Sequence, residues 1–131
     1  MPSNLEVVRS ICADWELGHY RRADWADPGI EYVVADGPDA GEWHGLGGMA
    51  EGWRAVSSAW DGVRITGLEI RELDPSRVLA LFDRKGRGRT SGIDFEEMRS
   101  RGAAVFHLRD GLVRRFVVWL DHERALADLG L

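Results

Sequence analysis

Cysteine is nearly absent: Cys12 is the only one among 131 residues. A single thiol closes no internal disulfide, which fits a reducing, cytoplasmic setting. Long apolar runs are missing too. The opening stretch "MPSNLEVVRSICADW" carries acidic residues and has no apolar leader segment, and nothing in the chain approaches the roughly 20 apolar residues of a membrane span. There is no basic excess. Lys and Arg number 17 against 22 Asp and Glu, a net charge of −5, so neither nucleic acid nor a membrane is an expected partner. The four histidines, His19, His44, His107 and His122, form no HxH or HExxH pattern. The GxxxxGK[ST], GxGxxG and GxSxG spacings are also lacking, so the sequence calls for no metal and no cofactor. With no internal repeat and no linker, residues 1–131 read as a single domain.

What is present is a core-forming share of apolar residues, 44%, and a heavy load of six tryptophans. Rigid aromatic side chains wall ligand pockets as readily as they fill cores. "SNLE" opens the chain as a capping box, with Ser3 as N-cap and Glu6 three residues on. Leu5, Val8, Ile11, Cys12 and Trp15 then recur at helical spacing. "RRADWADPG" reads as a short helical turn ended by Pro28, "IEYVVAD" as a strand and "GPDAGEW" as a loop. Met49, Trp53, Val56 and Trp60 mark a further helix. After Gly62 strands follow one another. They are "VRITGLEIREL" with a bulge expected at Gly67, "RVLALFDRK", a piece from "IDFEEM" to "AAVFHLR", and "LVRRFVVWL". Asp121 caps a last short helix closed by Gly130. The fold class is α+β, with a curved antiparallel sheet and helices on one side.

The hairpin "HLRDGLVRR" turns on Asp110-Gly111, which sets a two-residue loop. Simple pairing puts His107 opposite Arg114 and Val105 opposite Phe116. Val105, His107, Phe116, Val118 and Leu120 then share one face, and Phe106, Val117 and Trp119 share the other. Both faces are apolar. A helix layer on one side leaves the other to be covered, most simply by a second copy, so a homodimer through the sheet is expected.

The chain resembles the SnoaL-like branch of the nuclear transport factor 2-like superfamily. The resemblance is carried by "GRGRTSG", "VFHLRDGLVRRFVVWLD" and "ERALADLGL", and by "WADPGIEYV" and "EWHGLGGMAEGWRAVSSAW". It implies a cone-like sheet wrapped around the N-terminal helices, with a ligand pocket at the open end. Relatives include ketosteroid isomerase, polyketide cyclases, scytalone dehydratase, limonene epoxide hydrolase and non-enzymatic adaptors. The three catalytic positions of the isomerases align with Tyr32, Ile11 and Val105, so that constellation is replaced. The same alignment turns the His107 face toward the pocket.

The candidate catalytic residues are therefore His107, as acid or base, and Tyr32, as hydrogen-bond donor. Trp15, Tyr20, Trp53, Val105, Phe116 and Val118 are the candidate binding residues, with Trp60 a further aromatic candidate. Trp25, Trp43 and His44 are placed near the mouth, and Asp36 and Asp83 are the carboxylate candidates. Arg84, Lys85, Arg87 and Arg89 read as a solvated, charged strand edge. The expected ligand is a small hydrophobic organic molecule. The function that follows is a cofactor-independent isomerase, cyclase, dehydratase or hydrolase. The alternative is a non-catalytic ligand-binding or protein-interaction module, or a chain whose pocket is filled by its own tryptophans. The two readings divide on whether His107 and Tyr32 share a face.

Overall fold

The computed structural model describes residues 3–19, 23–37, 40–57, 60–88 and 97–131. The chain opens with α1 (Asn4–Glu16), where the Ser3 hydroxyl accepts the backbone N–H of Glu6 at 3.2 Å. Val8, Ile11, Cys12 and Trp15 form the buried stripe of this helix. Next come β1 (Ala26–Val34), β2 (Gly41–His44) and α2 (Gly45–Ser57). Four long strands follow: β3 (Trp60–Asp74), β4 (Arg77–Gly88), β5 (Glu97–Arg109) and β6 (Leu112–Trp119). The last element is α3 (His122–Asp128), capped by the Asp121 carboxylate and followed by Gly130 at φ +71°.

The strands form one curved sheet in the order β2-β1-β6-β5-β4-β3. Every pair is antiparallel except β1–β6, which is parallel. The parallel pair arises because β1 precedes the run of hairpins and returns to lie against its last strand. Register shifts bend the sheet, including one between Thr66 and Glu69 that takes in Gly67.

Three expectations need correction. Residues 24–25 form a turn, and β1 already begins at Ala26, so Pro28 lies within a strand. Its register with β6 shifts between Ala26 and Glu31, where a missing N–H breaks no ladder bond. Residues 41–44 pair with β1 as an edge strand, setting the partly buried Trp43 opposite Tyr32. Finally, α2 ends at Ser57, and Trp60 opens β3.

The Asp110-Gly111 turn forms as expected, with φ of 53° and 78°, the left-handed pair that a two-residue hairpin requires. Arg109 pairs with Leu112 and Leu108 with Val113. The register then slips: His107 pairs with Arg115 and Phe106 with Phe116, leaving Arg114 as the extra residue of a bulge. A one-residue slip exchanges faces. Phe116 and Val118 consequently join Ala104, Phe106 and Leu108 on the inner face, against α1. Val117 and Trp119 join Val105 on the outer face.

That outer face is not left open. Ala125, Leu126 and Leu129 of the C-terminal segment pack over Leu79, Ala103, Val105, Val117 and Trp119. The Trp119 indole N–H donates to Asp128 at 3.0 Å and ties α3 down. Helices therefore lie on both sides of the sheet. The apolar face that was to be covered by a second copy is covered largely by the chain itself.

Candidate functional site

The inner face of β2, β1, β6 and β5 carries a row of aromatic rings in strand register. Trp43 sits against Tyr32 with centroids 5.6 Å apart, Tyr32 stacks on Phe116 at 5.4 Å, and Phe116 stacks on Phe106 at 4.8 Å. Trp15 from α1 leans on both phenylalanines at 5.8 Å, and Trp25 meets them edge-on at 6.4 and 6.0 Å. Such contacts each contribute about 0.5–1.5 kcal/mol beyond area burial. The α2 helix closes over the row through its small face. A Cβ on Gly52 would stand 2.6 Å from the Trp43 ring and 2.9 Å from the Tyr32 ring, so only glycine allows that approach.

Tyr32 is 1% exposed, and its hydroxyl has no hydrogen-bond partner among the described residues. Leaving a buried hydroxyl unpaired costs about 1–3 kcal/mol. Burial pushes the phenol well above the ordinary tyrosine pKa, with the Arg84 charge pulling the other way. The group is thus a protonated donor over the physiological range.

Arg84 shares this interior. Val78, Ala80 and Phe82 alternate along β4 as inner-face core residues, and Arg84 continues the period. It is only 8% exposed. Its guanidinium carbon lies 5.9 Å from the Phe82 ring centroid, and one nitrogen donates to the Leu120 carbonyl at 3.3 Å. Burial lowers its pKa, while Asp36 and Tyr32 raise it. Asp36, just beyond β1, is buried as well, and its carboxylate accepts the backbone N–H groups of Leu120 at 2.6 Å and Asp121 at 3.2 Å. The inner face therefore presents a protonated phenol and a guanidinium beside a carboxylate that clamps the end of β6.

His107 lies elsewhere. Strand alternation puts it on the outer face with Val105, opposite Arg115 on β6 and Arg77 on β4. The row extends to Glu31, opposite Arg115, and to Asp74, opposite Arg77. Both ends close in ion pairs of 2.6 Å, Arg115 to Glu31 and Arg77 to Asp74. The half-buried imidazole sits at the centre of this charge ladder. Burial first, then Arg115 and Arg77, push its pKa down, and Asp74 and Glu31 oppose them. The arginine expected beside it was Arg114; the bulge supplies Arg115 instead.

The expected site residues are thus divided. Tyr32, Trp15, Phe116 and Val118 come together on the inner face, and Trp53 packs against the same cluster, half-buried. His107 and Val105 are placed on the opposite face, and Val105 is sealed under the C-terminal segment. Tyr20, residues 89–96 and the Trp60 side chain lie outside the described residues. Trp25 and Trp43 pack against the inner core, while His44 is exposed. Asp83 faces outward near Arg101, at 3.6 Å. Arg84 was missed as a site residue because its neighbours in sequence are basic. The signal that places it is the period-two run Val78, Ala80, Phe82, which ends on it.

A chain trace of this shape is also found in proteins of known structure. An NTF2-like protein from Burkholderia pseudomallei superposes with a TM-score of 0.76 over 97% of each chain, at 17% identity. The fold is that of the nuclear transport factor 2-like proteins. A Catenulispora acidiphila protein with a ketosteroid isomerase-like fold, solved in complex with trimethylamine, gives a TM-score of 0.67 at 15% identity, covering 99% of this chain and 95% of that one. TerC, co-crystallised with polyporic acid, gives 0.70 at 20% identity over 96% of each. Other structures of this shape are described as SnoaL-like or as candidate polyketide cyclases. No protein-family model matches the sequence, and no curated relative does.

Proposed function

We propose that this chain binds a small, flat and largely apolar organic molecule on its inner face, anchored at Tyr32. The observation that carries the reading is the Tyr32 hydroxyl, buried at the head of an aromatic row with no hydrogen-bond partner among the described residues. A fold that leaves such a group unpaired loses stability unless a ligand oxygen later pairs with it. Trp15, Phe116, Val118 and Trp53 supply the apolar wall. Two proteins of the same fold hold small organic molecules, polyporic acid and trimethylamine.

Binding is favoured over acid–base catalysis as the primary role. Catalysis was to pair His107 with Tyr32, and the sheet stands between them. A second reading retains an isomerase- or cyclase-type reaction. A protonated phenol beside a guanidinium is an arrangement that stabilises developing negative charge on a substrate oxygen. The free, buried thiol of Cys12 supports a cytoplasmic setting. A homodimer through the sheet would have to use what α3 leaves half-covered, such as Val33, Leu73 and Leu81.

The test is titration with flat aromatic compounds of the naphthalene and anthraquinone classes, followed by tryptophan emission. Saturable quenching is expected in the wild type and in His107→Gln, with at least tenfold weaker binding in Phe116→Ala. Absence of saturable quenching, or its loss in His107→Gln alone, would overturn the reading.

A further inference from the structure

We propose that the charge ladder around His107 is a second binding site, on the outer face, that takes a phosphate group, free or carried as a monoester. It is independent of the inner-face reading above and uses different residues. Its basis is the strand register. Arg115 on β6 and Arg77 on β4 are the cross-strand neighbours of His107, one strand away on either side. Glu31 on β1 and Asp74 on β3 stand one strand further out. Strands lie about 4.8 Å apart, so along the row the cations are at about half the distance of the carboxylates. Arg109, two residues along β5, shares the face, since Leu108 between them turns to the inner core. It is exposed, and Asp110 meets it only loosely, at 3.9 Å. Three arginines thus border the half-buried imidazole, and α3 packs further along the strand, over Val105.

Donors remain to be used in this row. Among the described residues Arg115 spends Nη1 on Glu31 and Arg77 spends Nε on Asp74, which leaves two nitrogens on each guanidinium. Both arginines are partly exposed and reachable from solvent. Burial and charge, with no hydrogen bond, set the state of the imidazole, and Arg115 and Arg77 act on it more strongly than Asp74 and Glu31 do. The field over the ring is therefore positive, although the whole chain carries −5. An oxyanion seated there accepts from both arginines. It also cancels the repulsion that keeps the ring unprotonated, so His107 takes up a proton and becomes a further donor. Phosphate fits better than a carboxylate. It brings up to two charges and three free oxygens, which match donors arriving from β4, β5 and β6.

The experiment follows the His107 ring signals of the full chain by NMR at fixed ionic strength, with inorganic phosphate or phenyl phosphate replacing chloride. Saturable shifts are expected with both probes, together with a rise in the His107 pKa of about half a unit or more. Tighter binding of phenyl phosphate assigns the site to an ester, and equal binding assigns it to free phosphate. Arg115→Gln should weaken phosphate binding about tenfold. Glu31→Gln, which releases Arg115 from its ion pair, should tighten it about threefold, and it keeps the test decisive if Arg115→Gln fails to fold. Shifts that never saturate would overturn the proposal, as would affinity that Glu31→Gln leaves unchanged or weakens. Either result leaves the inner-face reading untouched.

Discussion

Deleting the hydroxyl of Tyr32 should stabilise the free protein. The oxygen is buried and has no hydrogen-bond partner among the described residues, so Tyr32→Phe removes a desolvation penalty while keeping the stacked ring. A gain of about 1 kcal/mol is expected, read as a higher urea midpoint at unchanged slope. A loss of similar size would mean that the hydroxyl is satisfied in solution and is not waiting for a ligand. His107 makes a separate prediction. Its pKa is lowered in the folded chain by burial, Arg115 and Arg77, against the opposing Asp74 and Glu31. The unfolded chain then takes up the proton first as pH falls below about 6.5. Stability attributable to this residue is complete above that value and is lost as pH drops toward the folded-state pKa. His107→Gln should flatten the stability profile on the acid side of about pH 6.5. Asp74, held down to about 2 chiefly by its Arg77 hydrogen bond, adds a further loss at lower pH. At this scale the sequence was half legible. Tyr32 was readable because an aromatic residue amid β-branched neighbours marks a strand whose ring must pack. Arg84 was not, because charge in a basic stretch predicts a solvated edge, and only the alternation of its strand reveals the inward turn.

The hairpin shows where element-level reasoning holds and where it stops. Asp110-Gly111 dictated the turn and its φ values, and the first two pairs followed. The bulge at Arg114 then exchanged the faces of β6. Residue types carry little trace of it, since Val113, Phe116, Val117 and Val118 are all apolar and suit either face. What decides is tertiary: Phe116 reaches Phe106, Tyr32 and Trp15 only in the slipped register. The capped ends of α1 and α3 were legible, because caps are local chemistry. The edge strand β2 was not, since glycine and proline around it read as loop. Its stability comes from Trp43 lying between Tyr32 and the glycine face of α2. Gly52→Ala tests that contact. Helix propensity alone would give a gain of up to about 1 kcal/mol. The clash with Trp43 and Tyr32 should reverse the sign and cost about 1–2 kcal/mol by chemical denaturation. A stabilised variant would show that α2 stands off the sheet.

At the scale of the molecule, two apolar clusters lie back to back across one sheet, an inner one with α1 and α2 and an outer one under α3. The α+β architecture was legible from element order, and the resemblance to SnoaL-like proteins agreed with it. The use of α3 was not, because a seven-residue helix at a chain end gives no hint of the face it covers. Ending the chain after Leu120 should expose Val105, Val117 and Trp119, and raise self-association in light scattering above that of the full chain at equal concentration. The division of the molecule also separates the two titratable candidates, Tyr32 inside and His107 outside, and the account depends on that separation. The direct test is an amide and side-chain NMR map of the labelled full chain titrated with an uncharged compound of the naphthalene class. Shifts confined to Tyr32, Trp43 and Phe116, with the His107 ring signals unmoved, are the predicted result. Shifts centred on His107, Arg77 and Arg115, with the inner face silent, would contradict it.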